Sequence, residues 1–130
     1  MEKYYFLNDY AGLTYADVIK DVIYSYQVDE TYVNKFFFLV ANVHGDGYSE
    51  SSYFLLLEKS SGKLFEVYGS HCSCYGFEGQ FELEETSLAY LLSDNSNFGL
   101  SFDDEGKNDI RMFIRTKIRY LKLKELFEEV

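Results

Sequence analysis

The residues most able to do chemistry lie in one stretch, "VYGSHCSCYGFEGQFE" (Val67–Glu82), which holds both cysteines, Cys72 and Cys74, with His71 beside them. The other histidine, His44, sits upstream in "HGDGYSE". Three chemistries suit these residue types. A zinc ion needs four Cys, His or carboxylate ligands in a tetrahedral set. His71, Cys72, Cys74 and His44 are the candidate ligands, with Glu78 or Glu82 to complete the shell. One C-x-C without a second pair departs from the usual zinc spacing. A reactive thiol is the second chemistry. It needs a stabilised thiolate, with His71 or His44 as base, and Glu78, Glu82, Glu84 and Glu85 oppose that charge. No local signature of a cysteine enzyme is present, so a catalyst is not the leading expectation. A Cys72–Cys74 disulfide is the third: with one residue between its partners it is strained and easily reduced, as a redox switch requires. The plainest account is a packed turn. Small buried cysteines sit between Gly69 and Gly76, and His71 holds a backbone carbonyl. Tyr75, Glu78 and Gln80 extend the candidate binding stretch.

A second candidate is basic. "KNDIRMFIRTKIRYLKLK" carries Arg111, Arg115, Arg119 and Lys122 at three- and four-residue spacing, which suits a helix face tracking a phosphate backbone. The rest of the chain opposes nucleic acid. Residues 1–106 hold 5 Lys+Arg and 18 Asp+Glu, a net charge of −13, within a whole-chain charge of −10. Phosphates are repelled by such a body, and a basic partner surface is attracted. The basic face also has a simpler use, pairing with the acidic body or with a second copy of the chain. No P-loop, dinucleotide fingerprint, H-E-x-x-H or G-x-S-x-G motif occurs, and no cofactor is called for apart from zinc on the metal reading.

These residues must be positioned by a small scaffold. The 130 residues suit one α+β domain, 1–130, with a sizeable core supplied by 13 Tyr and 12 Phe. Thr14 and Asp17 mark a helix start, and Val18, Val22 and Tyr26 give a helix over Tyr15–Tyr26 one buried face. "KFFFLVANV", "SYFLLLEK" and "KLFEVYG" predict three antiparallel strands, the last two joined by the tight turn "SSG". The phenylalanines within them are expected in the core rather than as a stacking platform, because the strands lack Lys and Arg. "ELEETSLAYLLS" predicts a middle helix over Glu82–Ser93, and a long last helix is expected over Asn108–Phe127. Asp103-Asp104-Glu105 reads as a solvated loop. The expected fold is therefore a three-stranded antiparallel sheet packed with an N-terminal, a middle and a long C-terminal helix. The chain shows no apolar run of about 18 residues and no leader pattern, so no membrane span and a cytoplasmic location are expected.

The run "GKLFEVYGSHCSCYGFEGQFELEETSLAYLL" (Gly62–Leu92) resembles a segment of small proteins encoded by phages and prophages of low-GC Gram-positive bacteria, in which a similar "SHCSCYG…GQ" precedes an acidic helix start. The resemblance implies a phage or mobile-element setting within a bacterial host cytoplasm. It transfers no functional residue. Small acidic proteins in that setting bind host proteins, defence systems included. The resulting expectation is a non-enzymatic accessory protein that binds a host protein through its acidic surface.

Overall fold

The computed structural model describes residues 3–118. The elements run β1 (Tyr5–Asn8), α1 (Tyr15–Tyr26), α2 (Glu30–Val33), β2 (Phe36–Gly45), β3 (Ser49–Glu58), β4 (Leu64–Cys72), β5 (Glu84–Thr86), α3 (Leu88–Leu91) and α4 (Asp104–Phe113), followed by one π-helical segment over Ile114–Ile118. The fold is α+β, as expected, but the sheet is not. Five strands lie in the order β1-β2-β3-β4-β5, and β1 runs parallel to β2 while the other pairs are antiparallel. The three predicted strands are its centre. Two short edge strands were not expected.

The central strands explain why helices lie on both faces. β2 from Phe36 to Val43 and β3 from Tyr53 to Leu57 are almost continuously apolar and buried, so neither face tolerates water there. On one face Phe36, Phe38, Ala41, Phe54, Leu56 and Val67 meet Val18, Val22 and Tyr26 of α1. On the other, Phe37, Leu39, Val40, Leu55 and Leu57 meet Leu91, Phe98, Ile110 and Ile114. A register shift between Phe38 and Val40 lets both Leu39 and Val40 reach the second face. The strand phenylalanines Phe36, Phe37, Phe38 and Phe54 are core, as their setting predicts.

Helix α1 begins and ends where its signals place it. The Thr14 hydroxyl accepts from the Asp17 N–H at 3.1 Å, and Gln27 closes the helix at φ 53°.

The middle and last helices differ from expectation. The acidic run of the predicted Glu82–Ser93 helix is extended instead: Glu84–Thr86 pairs with Leu64–Glu66 as an edge strand. Only Leu88–Leu91 is helical, capped by Ser87, whose hydroxyl accepts from the Tyr90 N–H at 3.2 Å. Exposed glutamates on an edge strand keep other strands away, so the same charges that suit a helix start also suit this position. The last helix starts four residues early. Asp103 is its cap, accepting from the Gly106 N–H at 2.8 Å, and Asp104 and Glu105 form its acidic first turn rather than a solvated loop. Nor is it one regular helix: among the described residues α-geometry gives way after Phe113 to the π-segment. In the π-segment the Thr116 hydroxyl donates to the Met112 carbonyl at 2.8 Å, a back-bond that competes with regular helix geometry. Arg119 and Lys122 lie outside the described residues. No helix among the described residues is long and apolar enough to cross a membrane.

Candidate functional site

The three central strands share an end at which the apolar pattern stops. β3 begins "SES" and β4 finishes "SHC", and the register sets Ser49 opposite Cys72, Glu50 opposite His71 and Ser51 opposite Ser70. Strand β4 therefore carries His71 and Cys72 to the tip of the sheet, beside the turn that joins β2 to β3. Asp46 holds that turn. Its carboxylate accepts from the Tyr48 and Ser49 amides, both at 2.9 Å, and these bonds lower its pKa below the ordinary value.

His71 is fixed by both ring nitrogens. Nε2 lies 2.8 Å from Glu50 Oε1, and Nδ1 lies 2.7 Å from the Cys72 carbonyl. The two contacts fix the orientation of the ring between Glu50 on β3 and the end of its own strand. The predicted bond from His71 to a backbone carbonyl is present; the cross-strand carboxylate is an addition that the sequence did not reveal. Phe77 anchors the loop that follows. It is buried, stacks on Tyr26 with centroids 4.9 Å apart, and meets the His71 ring edge-on at 4.4 Å. Glu78 accepts from the Gly76 N–H at 3.0 Å, and Gln80 accepts from the Ser70 N–H at 2.8 Å. Glu78 and Gln80 thus shape the loop, and Cys74 and Tyr75 are pushed outward.

The cysteines correct the packed-turn account. Both are free and exposed, so neither fills a core. The strand stops at Cys72, and Cys74 lies in the turn beyond it. Hydrogen bonding from Cys74, its backbone before its side chain, holds the Cys72 thiol below its ordinary pKa. His44 and His71 line one cleft with Cys72, Glu50 and Asp46, of about 510 Å³. Even so, no group of three or more His, Cys, Asp or Glu side chains among the described residues is arranged to hold a metal.

Large apolar side chains stand exposed around this cleft. Tyr75 and Leu100 line it at 64% and 83% exposure, and Tyr48 at 82% lines an adjoining hollow that shares Ser49, Glu50 and His71. Glu50 also borders a third hollow with Asp9, Asp17 and Asp21. One end of the molecule thus joins carboxylates to exposed aromatic groups. Tyr48, Glu50 and Leu100 were missed in the sequence. The signal for Glu50 was the polar alternation of "SESS", which extends the hairpin register to His71.

The basic candidate is dispersed. Arg111 is 8% exposed and does not face solvent. Its Nε donates to the Ser96 hydroxyl at 3.0 Å and its Nη1 to Asn108 Oδ1 at 2.9 Å, Nη2 bonds the Ser96 carbonyl, and the guanidinium lies over Phe98. Arg111 locks the loop before α4 to the helix. Arg115 is exposed. A separate cleft of about 640 Å³ between β1 and the last helix is lined by Tyr4, Phe6, Leu13, Met112 and Phe113 among others, with no carboxylate, thiol or imidazole among the described residues of its wall. Compared with protein-family models, with curated proteins and with solved structures, the chain matches none.

Proposed function

We propose that the chain is a non-enzymatic binding protein whose partner is a protein with a basic surface, docked on the open end of the sheet. The observation that carries this is the grouping of Tyr48, Tyr75 and Leu100, all largely exposed, around a cleft walled by Asp46 and Glu50. Binding energy at protein interfaces concentrates in a few large side chains, with Tyr favoured, and charge sets orientation and encounter rate. Tyr48 stands on the hairpin turn that Asp46 holds, and Tyr75 on the loop that Phe77 anchors, which lowers the ordering cost of binding at these two residues. In the setting implied by the resemblance of Gly62–Leu92, the partner is a host protein of a phage or prophage, and inhibition of a defence protein is one form of that role.

The test is capture from host extract with a photo-crosslinking residue at position 75. One protein should crosslink, with a yield that falls as salt rises. Tyr48→Ala with Leu100→Ala should abolish the crosslink while the circular dichroism spectrum is kept. An undiminished crosslink in that variant, or equal crosslinking from position 59 at the opposite end, would refute the proposal.

A further inference from the structure

We propose that the outer edge of β1 is a strand-addition site for an extended peptide that carries apolar side chains at alternate positions and a carboxylate. The site is the cleft between β1 and the last helix, and its occupancy is independent of the binding role of the open end. Its wall includes Tyr4, Tyr5 and Phe6, three consecutive residues. Successive side chains on a strand point to opposite faces of the sheet. Here Tyr5 meets Phe113 with ring centroids 5.4 Å apart, and Phe6 meets Tyr15 at 6.0 Å. A hollow that touches all three residues therefore runs along the edge of the sheet rather than over one face. Leu13 and Thr14, at the entry to α1, bound it on one side, and Met112, Phe113 and Thr116 bound it on the other.

The backbone of this edge is open. β1 runs parallel to β2 with Asn8 opposite Val43, and the Asp9 N–H donates to the Val43 carbonyl at 2.9 Å. In a parallel ladder alternate residues turn their N–H and C=O groups to the neighbouring strand. Leu7 and Asp9 thus face β2, and Phe6 and Asn8 face away from it. The Asn8 carbonyl accepts from the Ala11 N–H at 3.0 Å. That leaves the Phe6 N–H, the Phe6 carbonyl and the Asn8 N–H, which no turn or loop bond among the described residues uses. An added strand pairs with such groups, and its alternate side chains supply the specificity.

The two edges of the sheet differ in what guards them. β5 carries the exposed Glu84 and Glu85. β1 reads Tyr-Phe-Leu-Asn, with no charge and no proline. Charge on an edge strand excludes another strand, and its absence admits one. The wall sets the chemistry of the occupant. Leu13 and Met112 are exposed on its two sides and offer apolar contact to side chains pointing either way from an added strand. Lys117 is the one charged side chain among the described residues of the wall, in a chain rich in carboxylates, and it selects an acidic group. β1 is four residues long, so the paired stretch is about 13 Å.

A yeast-displayed library of random short peptides, panned on the full chain, supplies the probe. Enriched peptides should alternate apolar and polar residues and include Asp or Glu. The best of them, synthesised, should slow hydrogen exchange at the Phe6 and Asn8 amides. N-methylation of its alternate residues leaves the protein unaltered: one set should cost about tenfold in affinity and the other little, because only one set bonds β1. Met112→Glu should weaken binding about tenfold and Lys117→Glu about fivefold, each with unchanged circular dichroism. The proposal is overturned if no alternating peptide is enriched, if the two methylated sets bind alike, or if Met112→Glu binds as the wild type does. It is also overturned if the Phe6 and Asn8 amides are already protected in the free chain, the result expected when a second copy or residues 119–130 occupy the edge.

Discussion

The two ends of the central hairpins are built from the same three strands and behave as different materials. At the closed end Leu55, Leu56, Leu57 and Leu64 are buried between helices on both faces. At the open end the same strands read Ser49-Glu50-Ser51 and Ser70-His71-Cys72, and their side chains reach solvent or one another. The closed end supplies stability, and the open end spends little of it. Polar strand tips extend a rigid sheet past its own core, and the residues they carry are held in place without being buried. Tyr26 marks the border: its ring is in the core with Phe54 and Phe77, and its hydroxyl bonds Ser52, where β3 turns polar.

Alkaline pH should break the comparison most completely, because ionising a buried phenol is incompatible with the core that encloses it. Burial raises the pKa values of Tyr10, Tyr15, Tyr26 and Tyr53 above the ordinary 10.0, and hydrogen bonding to Asp21 and charge from Glu66 add to this at Tyr10 and Tyr53. A group with a raised folded pKa contributes stability that is intact below its unfolded pKa and lost as pH rises toward the folded one. The buried share of the phenolate absorbance should therefore appear above about pH 10, together with loss of circular dichroism. A smooth phenolate titration over a folded spectrum would contradict this.

Phe54→Ala should come next, costing about 3–5 kcal/mol by denaturant titration, since it empties the ring cluster beneath α1. Glu66→Ala is smaller. The buried Glu66 carboxylate accepts from Tyr53 at 2.6 Å and from Tyr68 at 2.9 Å, so its removal strands a buried hydroxyl at a cost of about 1–3 kcal/mol. Glu66→Gln, which keeps an acceptor, should recover part of the loss. Gly69→Ala tests the border: a Cβ there would lie 2.5 Å from Ser52 Oγ and 3.1 Å from a Phe77 ring carbon, and overpacking of this kind costs about 1–3 kcal/mol. Tyr75→Ala and Leu100→Ala should change stability least, within about 0.5 kcal/mol, while weakening partner binding. A large stability loss from either would make the open end part of the core.

Much of the closed end was legible because its signals are local. Thr14 caps α1, Val18, Val22 and Tyr26 stripe it, and "SSG" joins β3 to β4. The two edge strands were not legible. β1 is four residues whose pairing with β2 spans more than thirty positions, and nothing local fixes a parallel partner. In β5 the run Glu84-Glu85 suits an exposed edge as well as a helix start, and the cap at Ser87 was the distinguishing mark. At the open end the residue types His71, Cys72, Cys74 and Tyr75 drew attention from the sequence. Their meaning depended on register. Glu50 meets His71 only because the hairpin continues through "SESS", and Arg111 left the basic face because Ser96 and Asn108 offered it buried partners.

The most direct measurement compares capture of the host partner by two double variants with intact folds, Tyr48→Ala/Tyr75→Ala at the open end and Lys59→Ala/Lys63→Ala at the closed end. If the open end is the binding end, the first variant loses the partner and the second retains it at the wild-type level. Equal capture by both, or loss confined to the closed-end variant, would contradict the assignment of function to this end of the sheet.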